Sequence, residues 1–139
     1  MSVIGIEKLE FGVEDLPTCE KFMQDFGLQP ATQHWGEPQR EFTTLSGARV
    51  VLYPLQSAAL PAAFEGGSTL RRMTWGVASP AELARLQPRL ALMPGFRQVG
   101  EELECLDPNG MTLRFVVSRQ QAVEVPVTPI NQWGEIGRA

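Results

Sequence analysis

Hydrophobic and polar residues alternate with a period of two along most of the chain, which predicts strands with two different faces. In the segment 111–117, for example, Leu113 and Phe115 alternate with Thr112 and Arg114. On this basis, strands are predicted at residues 4–13, 28–33, 40–45, 49–53, 70–77, 96–99, 101–106 and 111–117.

The first predicted strand, residues 4–13, has one apolar face and one face with charged groups. Leu9, Phe11 and Val13 form the apolar face, which we expect to pack against the core. The alternation therefore places a lysine and a glutamate together on the other face. The members of that second face are Ile4, Ile6, Lys8, Glu10 and Gly12.

Two further segments carry apolar residues at helical spacing. Asp15 is suited to cap the first helix, whose apolar stripe ends at Gly27. Ser79, followed by Pro80 at the first helical position, begins the second helix. The sequence Pro94-Gly95 ends that helix. The predicted order of elements is therefore β-α-β-β-β, used twice.

Similar sequences recur at nearly the same spacing in the two halves of the chain. LEFGV and MTWGV lie 64 residues apart, and the turn glycines Gly47 and Gly110 lie 63 residues apart. Gly110 closes the sequence Asp107-Pro108-Asn109-Gly110, which is typical of a tight turn before a strand. We therefore predict one domain, residues 1–139. Its parts are module one (4–54), a connector (55–68), module two (69–117) and a tail (118–139) with one candidate strand at 123–127.

The bulk composition limits the class of protein. With 139 residues, 43% hydrophobic, 20% charged and a net charge of −4, the chain is typical of a soluble globular protein. The acidic balance argues against nucleic acid or an anionic membrane as a partner. Two cysteines, no signal peptide and no transmembrane run together predict a cytoplasmic protein. A single histidine, His34, excludes mechanisms that need several imidazoles.

Two motifs resemble those of the vicinal oxygen chelate superfamily, which includes glyoxalases, bleomycin-resistance proteins and extradiol ring-cleaving dioxygenases. The segment GVEDLPTCEKFMQDFGL resembles the strand-end, aspartate and helix signature of its first module. The segment LDPNGMTLRF resembles the Asp-Pro-x-Gly hairpin of its second module. The resemblance covers residues 4–118. It implies an α+β fold in which two βαβββ modules form one cupped mixed or antiparallel sheet, with the helices outside and a ligand in the concavity.

The resemblance also indicates where family enzymes hold a divalent metal, on the inward face of the first and last strand of each module. Those positions fall here on Lys8, Val51, Arg72 and Arg114. Neither a cationic side chain nor valine offers a lone pair to a metal ion. Glu10 alone is too few ligands for such a site. We therefore expect no metal site and no cofactor.

The cations at these positions predict a different kind of site. Lys8, Arg72 and Arg114 should point into one concavity, where guanidinium groups suit carboxylate or phosphate oxygens. The alternative is that the arginines pair internally with Glu10, Glu102 or Glu104, since buried charges must be paired. We predict no catalytic residue. The predicted ligand-binding residues are Lys8, Glu10, Arg72, Thr74, Arg114 and Tyr53, with Trp35 and His34 as further candidates for the walls.

Three functions are compatible with these features. The first is a metal-free binding protein, in the manner of bleomycin-resistance proteins, for a small anionic or aromatic molecule. The second is an extradiol dioxygenase-related protein equivalent to the non-catalytic N-terminal half of a ring-cleaving dioxygenase. The third is a structural or assembly module that forms a homodimer. Whether the protein is an enzyme is left open; if it is, a dioxygenase- or lyase-related activity is expected, without metal-dependent chemistry.

Overall fold

The structure, a computed structural model, describes residues 3–31 and 38–126. These residues form two β-α-β-β-β units, so the predicted order of elements is confirmed. The second strand is much shorter than the predicted segment 28–33, of which residues 32 and 33 lie outside the described part. The elements are β1 (Val3–Val13), α1 (Leu16–Asp25), β2 (Gln29–Pro30), β3 (Arg40–Thr43), β4 (Arg49–Pro54), β5 (Thr69–Val77), α2 (Pro80–Leu90), β6 (Arg97–Val99), β7 (Glu102–Leu106) and β8 (Thr112–Val117).

The eight strands form one curved, unclosed mixed sheet with the order β2-β3-β4-β1-β5-β8-β7-β6. Within each unit the first and last strands are parallel neighbours, β1 with β4 and β5 with β8. The antiparallel pairing of β1 with β5 joins the two units at the centre of the sheet. The predicted fold class is therefore confirmed.

Both helices pack on the apolar face of the sheet. The core beneath α1 consists of the buried residues Val13, Phe42 and Leu52, and Leu16 and Met23 of the helix pack against it. Leu86 is the buried residue of α2, which lies against β5, β7 and β8. In the part of the chain that the structure describes, neither helix has the length and apolar character needed to cross a membrane.

A bulge in β1 changes the predicted alternation of its side chains. Ile6 pairs with Trp75 and Lys8 pairs with Thr74, so Glu7 is an extra residue between two consecutive pairs. Residues directly opposite each other share a face, which puts Ile6 on the side of Trp75. The prediction that Ile6 lies on the same face as Lys8 is therefore wrong. Because of the bulge, Glu7 and Lys8 line the same cavity.

After β8, residues 118–121 form a strap across one end of the central strands. The Ser118 amide donates to the Val77 carbonyl at 2.9 Å, and the Gln121 amide donates to the Ser46 carbonyl at 2.9 Å. A strand was predicted at 123–127. The described residues of that segment, 123–126, form no strand, and residue 127 lies outside the described part. Val123 and Val125 are exposed, and the described residues 121–126 pair with no strand of the sheet.

Candidate functional site

The face of the sheet opposite the helices, called the inner face below, carries a row of polar side chains aligned by the strand register. Lys8 of β1 pairs with Arg49 of β4 on one side and with Thr74 of β5 on the other. Thr74 pairs in turn with Arg114 of β8, and Arg114 pairs with Glu104 of β7. The fold thus brings three predicted site residues, Lys8, Thr74 and Arg114, together from three strands.

A buried ion pair lies at the centre of the inner face. Arg72 donates from Nε and Nη2 to the two oxygens of Glu10 at 2.7 and 2.9 Å. Glu10 is 1% exposed and Arg72 is 7% exposed. The Tyr53 hydroxyl donates to Glu10 Oε1 at 3.3 Å, and Lys8 Nζ lies 3.5 Å from Oε2. Four of the predicted site residues therefore form one charged cluster.

A second carboxylate, Glu104, organises the cations on the neighbouring strands. Arg114 Nε donates to Glu104 Oε2 and Arg97 Nε donates to Oε1, both at 2.6 Å. Arg114 Nη1 also donates to Glu102 Oε2 at 3.2 Å. Arg72 Nη1 lies 3.9 Å from Glu104 Oε2 and connects the two clusters. The structure thus shows that Arg72 and Arg114 pair internally with glutamates, which is the alternative raised from the sequence.

The pairing changes the acidity of these groups. Burial alone would raise the pKa of Glu10, but the hydrogen bonds from Arg72 and the charges of Lys8 and Arg72 outweigh it, and the pKa lies below its ordinary value. Glu104 behaves in the same way. Burial would raise its pKa, but the hydrogen bonds from Arg114 and Arg97 outweigh burial and lower the pKa overall. Burial, followed by the charge of Glu10, raises the pKa of Tyr53. Both carboxylates are therefore held as anions.

A cavity of about 670 Å³ lies beside this network on the inner face. Of the predicted site residues, Lys8 and Thr74 line it. The others belong to the two adjoining charged clusters and do not line it: Glu10, Tyr53, Arg72 and Arg114. Binding of a ligand by these residues stays a prediction. The predicted wall residues at positions 34 and 35 lie outside the described part of the chain. The other lining residues are Glu7, Arg49, Pro80, Val99, Gly100, Glu101, Glu102, Val116, Val117 and Arg119.

Thr74 is the residue of this cavity whose buried side-chain oxygen lacks a hydrogen-bond partner among the described residues. The residue is 3% exposed, and its Oγ1 forms no hydrogen bond with any described residue. A buried hydroxyl without a partner costs about 1–3 kcal/mol, so such groups are uncommon in native structures. Because Oγ1 itself has less than 1 Å² of accessible surface, a molecule in the cavity would supply the missing partner after the Thr74 side chain turns its hydroxyl toward the cavity.

Glu7 is a wall residue that the sequence analysis missed. Its carboxylate, 6% exposed, accepts hydrogen bonds from Ser118 Oγ at 2.8 Å, the Arg119 amide at 2.8 Å and Gln120 Nε2 at 2.9 Å. Burial would raise the pKa of Glu7, but these hydrogen bonds lower it overall. Glu7 therefore fastens the strap along the edge of the cavity. The sequence carries one trace of this bulge, since strict alternation would put the charged Glu7 on the apolar face of Leu9, Phe11 and Val13.

Two further cations of the wall were also missed. Arg49 is 44% exposed and lies 3.4 Å from Glu41. Arg119 lies on the strap, is exposed, and forms no ion pair with another described residue. Arg49 was detectable, because it alternates with Val51 along the same predicted strand. Arg119 was not, because its position depends on the path of the chain after β8.

The structure is similar to solved structures at low sequence identity. A catechol 2,3-dioxygenase shares 19% identity with a TM-score of 0.67 over 87% of this chain and 43% of that one. The Mn(II)-bound glyoxalase from Novosphingobium aromaticivorans shares 15% identity with a TM-score of 0.60 over 82% of this chain and 38% of that one. Methylmalonyl-CoA epimerase from Mycobacterium tuberculosis shares 19% identity with a TM-score of 0.54 over 83% of this chain and 88% of that one.

These similarities show that the chain has the fold of the vicinal oxygen chelate superfamily. The sequence itself matches no protein-family model and no curated protein. The chain spans less than half the length of the dioxygenase and of the glyoxalase, whereas it spans most of the epimerase.

The residues at the metal positions that the resemblance indicates do not fit a divalent cation. Lys8, Arg72 and Arg114 lie on the inner face, but they are cations, and each of them pairs with a carboxylate. Glu10 would have to release Arg72 before it could coordinate a metal ion. Within residues 3–31 and 38–126 there is no group of three His, Cys, Asp or Glu side chains suited to hold one. No chemical step is therefore assigned to a metal in this protein.

Proposed function

We propose that the protein binds a small molecule with an anionic group in the cavity of the inner face. The observation that carries this proposal is the unpartnered Thr74 hydroxyl beside Lys8, its direct neighbour in the sheet. An ammonium group has three donors, and Lys8 has one carboxylate contact, at 3.5 Å. The pair therefore has hydrogen-bonding capacity left for a ligand oxygen.

The size and walls of the cavity support a small organic ligand. A volume of about 670 Å³ is in the range of known small-molecule sites. Val99, Val116 and Val117 supply apolar wall beside the charged groups. An aliphatic or aromatic body could rest on these side chains while its acid group meets Lys8. The proposal assigns binding and no reaction.

Calorimetric titration with benzoate and with hexanoate tests this proposal. We expect saturable binding of at least one acid to the wild-type protein. Lys8→Met should weaken that binding about tenfold, because it removes a charge-assisted hydrogen bond. The matched control is Lys21→Met, whose ammonium is exposed on α1 and pairs with Asp25. Equal binding by both variants would contradict the proposal, as would failure of the wild type to bind benzoate, hexanoate or any of the six acids compared below.

A second proposal is a protein equivalent to the non-catalytic half of a ring-cleaving dioxygenase, or a homodimeric assembly module. It is supported by the chain covering 43% of the catechol 2,3-dioxygenase that it resembles in fold. Such a protein would associate through its surface and would not need a ligand. Sedimentation equilibrium distinguishes the two proposals: a monomer that binds benzoate or hexanoate rejects this one.

A further inference from the structure

The cavity is lined by equal numbers of cations and carboxylates, and the strand order separates most of them. Lys8 lies on β1 and Arg49 on β4, to one side of Thr74 on β5. Glu102 lies on β7 and Glu101 in the turn before it, to the other side, with β8 between. A molecule spanning the cavity thus meets positive groups at one end and negative groups at the other.

The carboxylates at the far end retain free acceptor capacity. Glu101 is exposed and forms no ion pair with any described residue. Glu102 is 36% exposed and accepts from Arg114 at one oxygen. Glu7, by contrast, already accepts three hydrogen bonds from donors of the strap. The acceptors that remain for a ligand are therefore concentrated in the turn between β6 and β7 and at the start of β7.

On the basis of the proposed function, we infer that the ligand is dipolar and carries a primary amine opposite its carboxylate. The carboxylate would meet Lys8 and the Thr74 hydroxyl, and the ammonium would meet Glu101 and Glu102. A simple monoanion satisfies one end and leaves the other end facing an apolar group. A dipolar molecule satisfies both ends and adds no net charge to a wall whose charges already balance.

The strand spacing sets the length of such a ligand. Three strand steps separate β1 from β7, which is roughly 14 Å along the sheet at about 4.8 Å per step. The curvature of the sheet and the reach of Lys8 and Glu102 shorten the distance between the charged groups. A separation of roughly 6–10 Å between carboxylate and ammonium is therefore expected.

The test compares ω-amino acids with their isosteric fatty acids by calorimetry on the full chain. The pairs are 4-aminobutyrate with pentanoate, 6-aminohexanoate with heptanoate and 8-aminooctanoate with nonanoate. We expect the amino acid of fitting length to bind about tenfold more tightly than its isostere, although the isostere has the greater hydrophobic contribution. Glu101→Gln should reduce this preference at least about threefold, because it removes the charge of one of the two carboxylates that face the ammonium.

The matched control is Glu65→Gln, which makes the same charge change at an exposed position outside the cavity. It should preserve the preference for the amine. Equal binding of each amino acid and its isostere would overturn the dipolar inference while leaving the proposed function intact. Equal effects of Glu101→Gln and Glu65→Gln would overturn it as well. Failure of all six compounds, together with benzoate, would instead reject the proposed function.

Discussion

Glu10 and Arg72 are direct partners in the antiparallel pairing of β1 with β5, and Arg72 bonds both carboxylate oxygens, at 2.7 and 2.9 Å. The pair joins the two structural units at the centre of the inner face. The resemblance to the vicinal oxygen chelate superfamily implies that family enzymes hold a metal in this region of the sheet. Here a buried ion pair occupies it, and the open cavity lies to one side.

Breaking this ion pair should destabilise the protein strongly. Arg72→Met leaves the buried Glu10 carboxylate with Lys8 and the Tyr53 hydroxyl as its partners, and we expect a loss of about 3–5 kcal/mol in the free energy of unfolding. The double variant Glu10→Leu/Arg72→Met should lose much less than the sum of the single variants. Lys21→Met, at an exposed pair, should change stability by less than about 1 kcal/mol. Urea unfolding measures all four; additive losses would refute the coupling.

Acid should weaken the folded state through the same carboxylates. The folded-state pKa of Glu10 lies below its ordinary value of 4.5, as do those of Glu104 and Glu7. Their contribution to stability is thus complete above the unfolded pKa and is lost as the pH falls through the folded pKa. The urea midpoint should be level near neutrality and should fall below about pH 4.5. A midpoint that rises on acidification would be inconsistent with these shifts.

Gly76 makes room for the Glu7 carboxylate and the strap. A Cβ at Gly76 would lie 2.7 Å from Glu7 Oε2 and 2.9 Å from Ser118 Cβ. Gly76→Ala should therefore displace the strap and cost about 1–3 kcal/mol in urea unfolding. The control is Gly5→Ala at its pairing partner, where nothing lies within 4 Å of an added Cβ. Equal stability of the two variants would show that the strap is not held against Gly76.

Thr74→Val should separate stability from binding. Valine keeps the shape and removes the unpartnered hydroxyl, so the free protein should gain up to about 1–2 kcal/mol while acid binding weakens. Thr18→Val is the control and should lower the free energy of unfolding, because the Thr18 hydroxyl donates a hydrogen bond to Asp15 at 2.7 Å. Unfolding and calorimetry are measured on the same samples. A Thr74→Val protein that loses stability would show that its hydroxyl is already satisfied.

The sequence predicted the elements well because their signals are local. Asp107 Oδ1 accepts from the amides of Asn109 and Met111, and Gly110 has φ 90°, as the turn sequence indicates. The N-caps Asp15 and Ser79 were equally readable. Such features depend on a few consecutive residues and on the conformational preferences of each.

The wall of the cavity was less predictable because it depends on long-range pairing. The inner-face positions of Lys8 and Thr74 follow from alternation. The bulge at Glu7 depends on how β1 meets β5, and the position of Arg119 depends on the strap reaching Ser46. Glu102 and Glu104 were candidates to pair with Arg114, together with Glu10. The pairing of β7 with β8 places Glu102 and Glu104, and not Glu10, within hydrogen-bond distance of Arg114.

Methyl-selective NMR of the wild-type protein, titrated with benzoate and with hexanoate, tests the central claim most directly. The Thr74 and Val116 methyl groups lie in the cavity wall, whereas Met73 and Leu113 line a groove on the opposite face. The account predicts saturable shifts of the Thr74 and Val116 signals at the affinity found by calorimetry, with Met73 and Leu113 unchanged. Saturable shifts confined to Met73 and Leu113, or no saturable shift at Thr74, would contradict it.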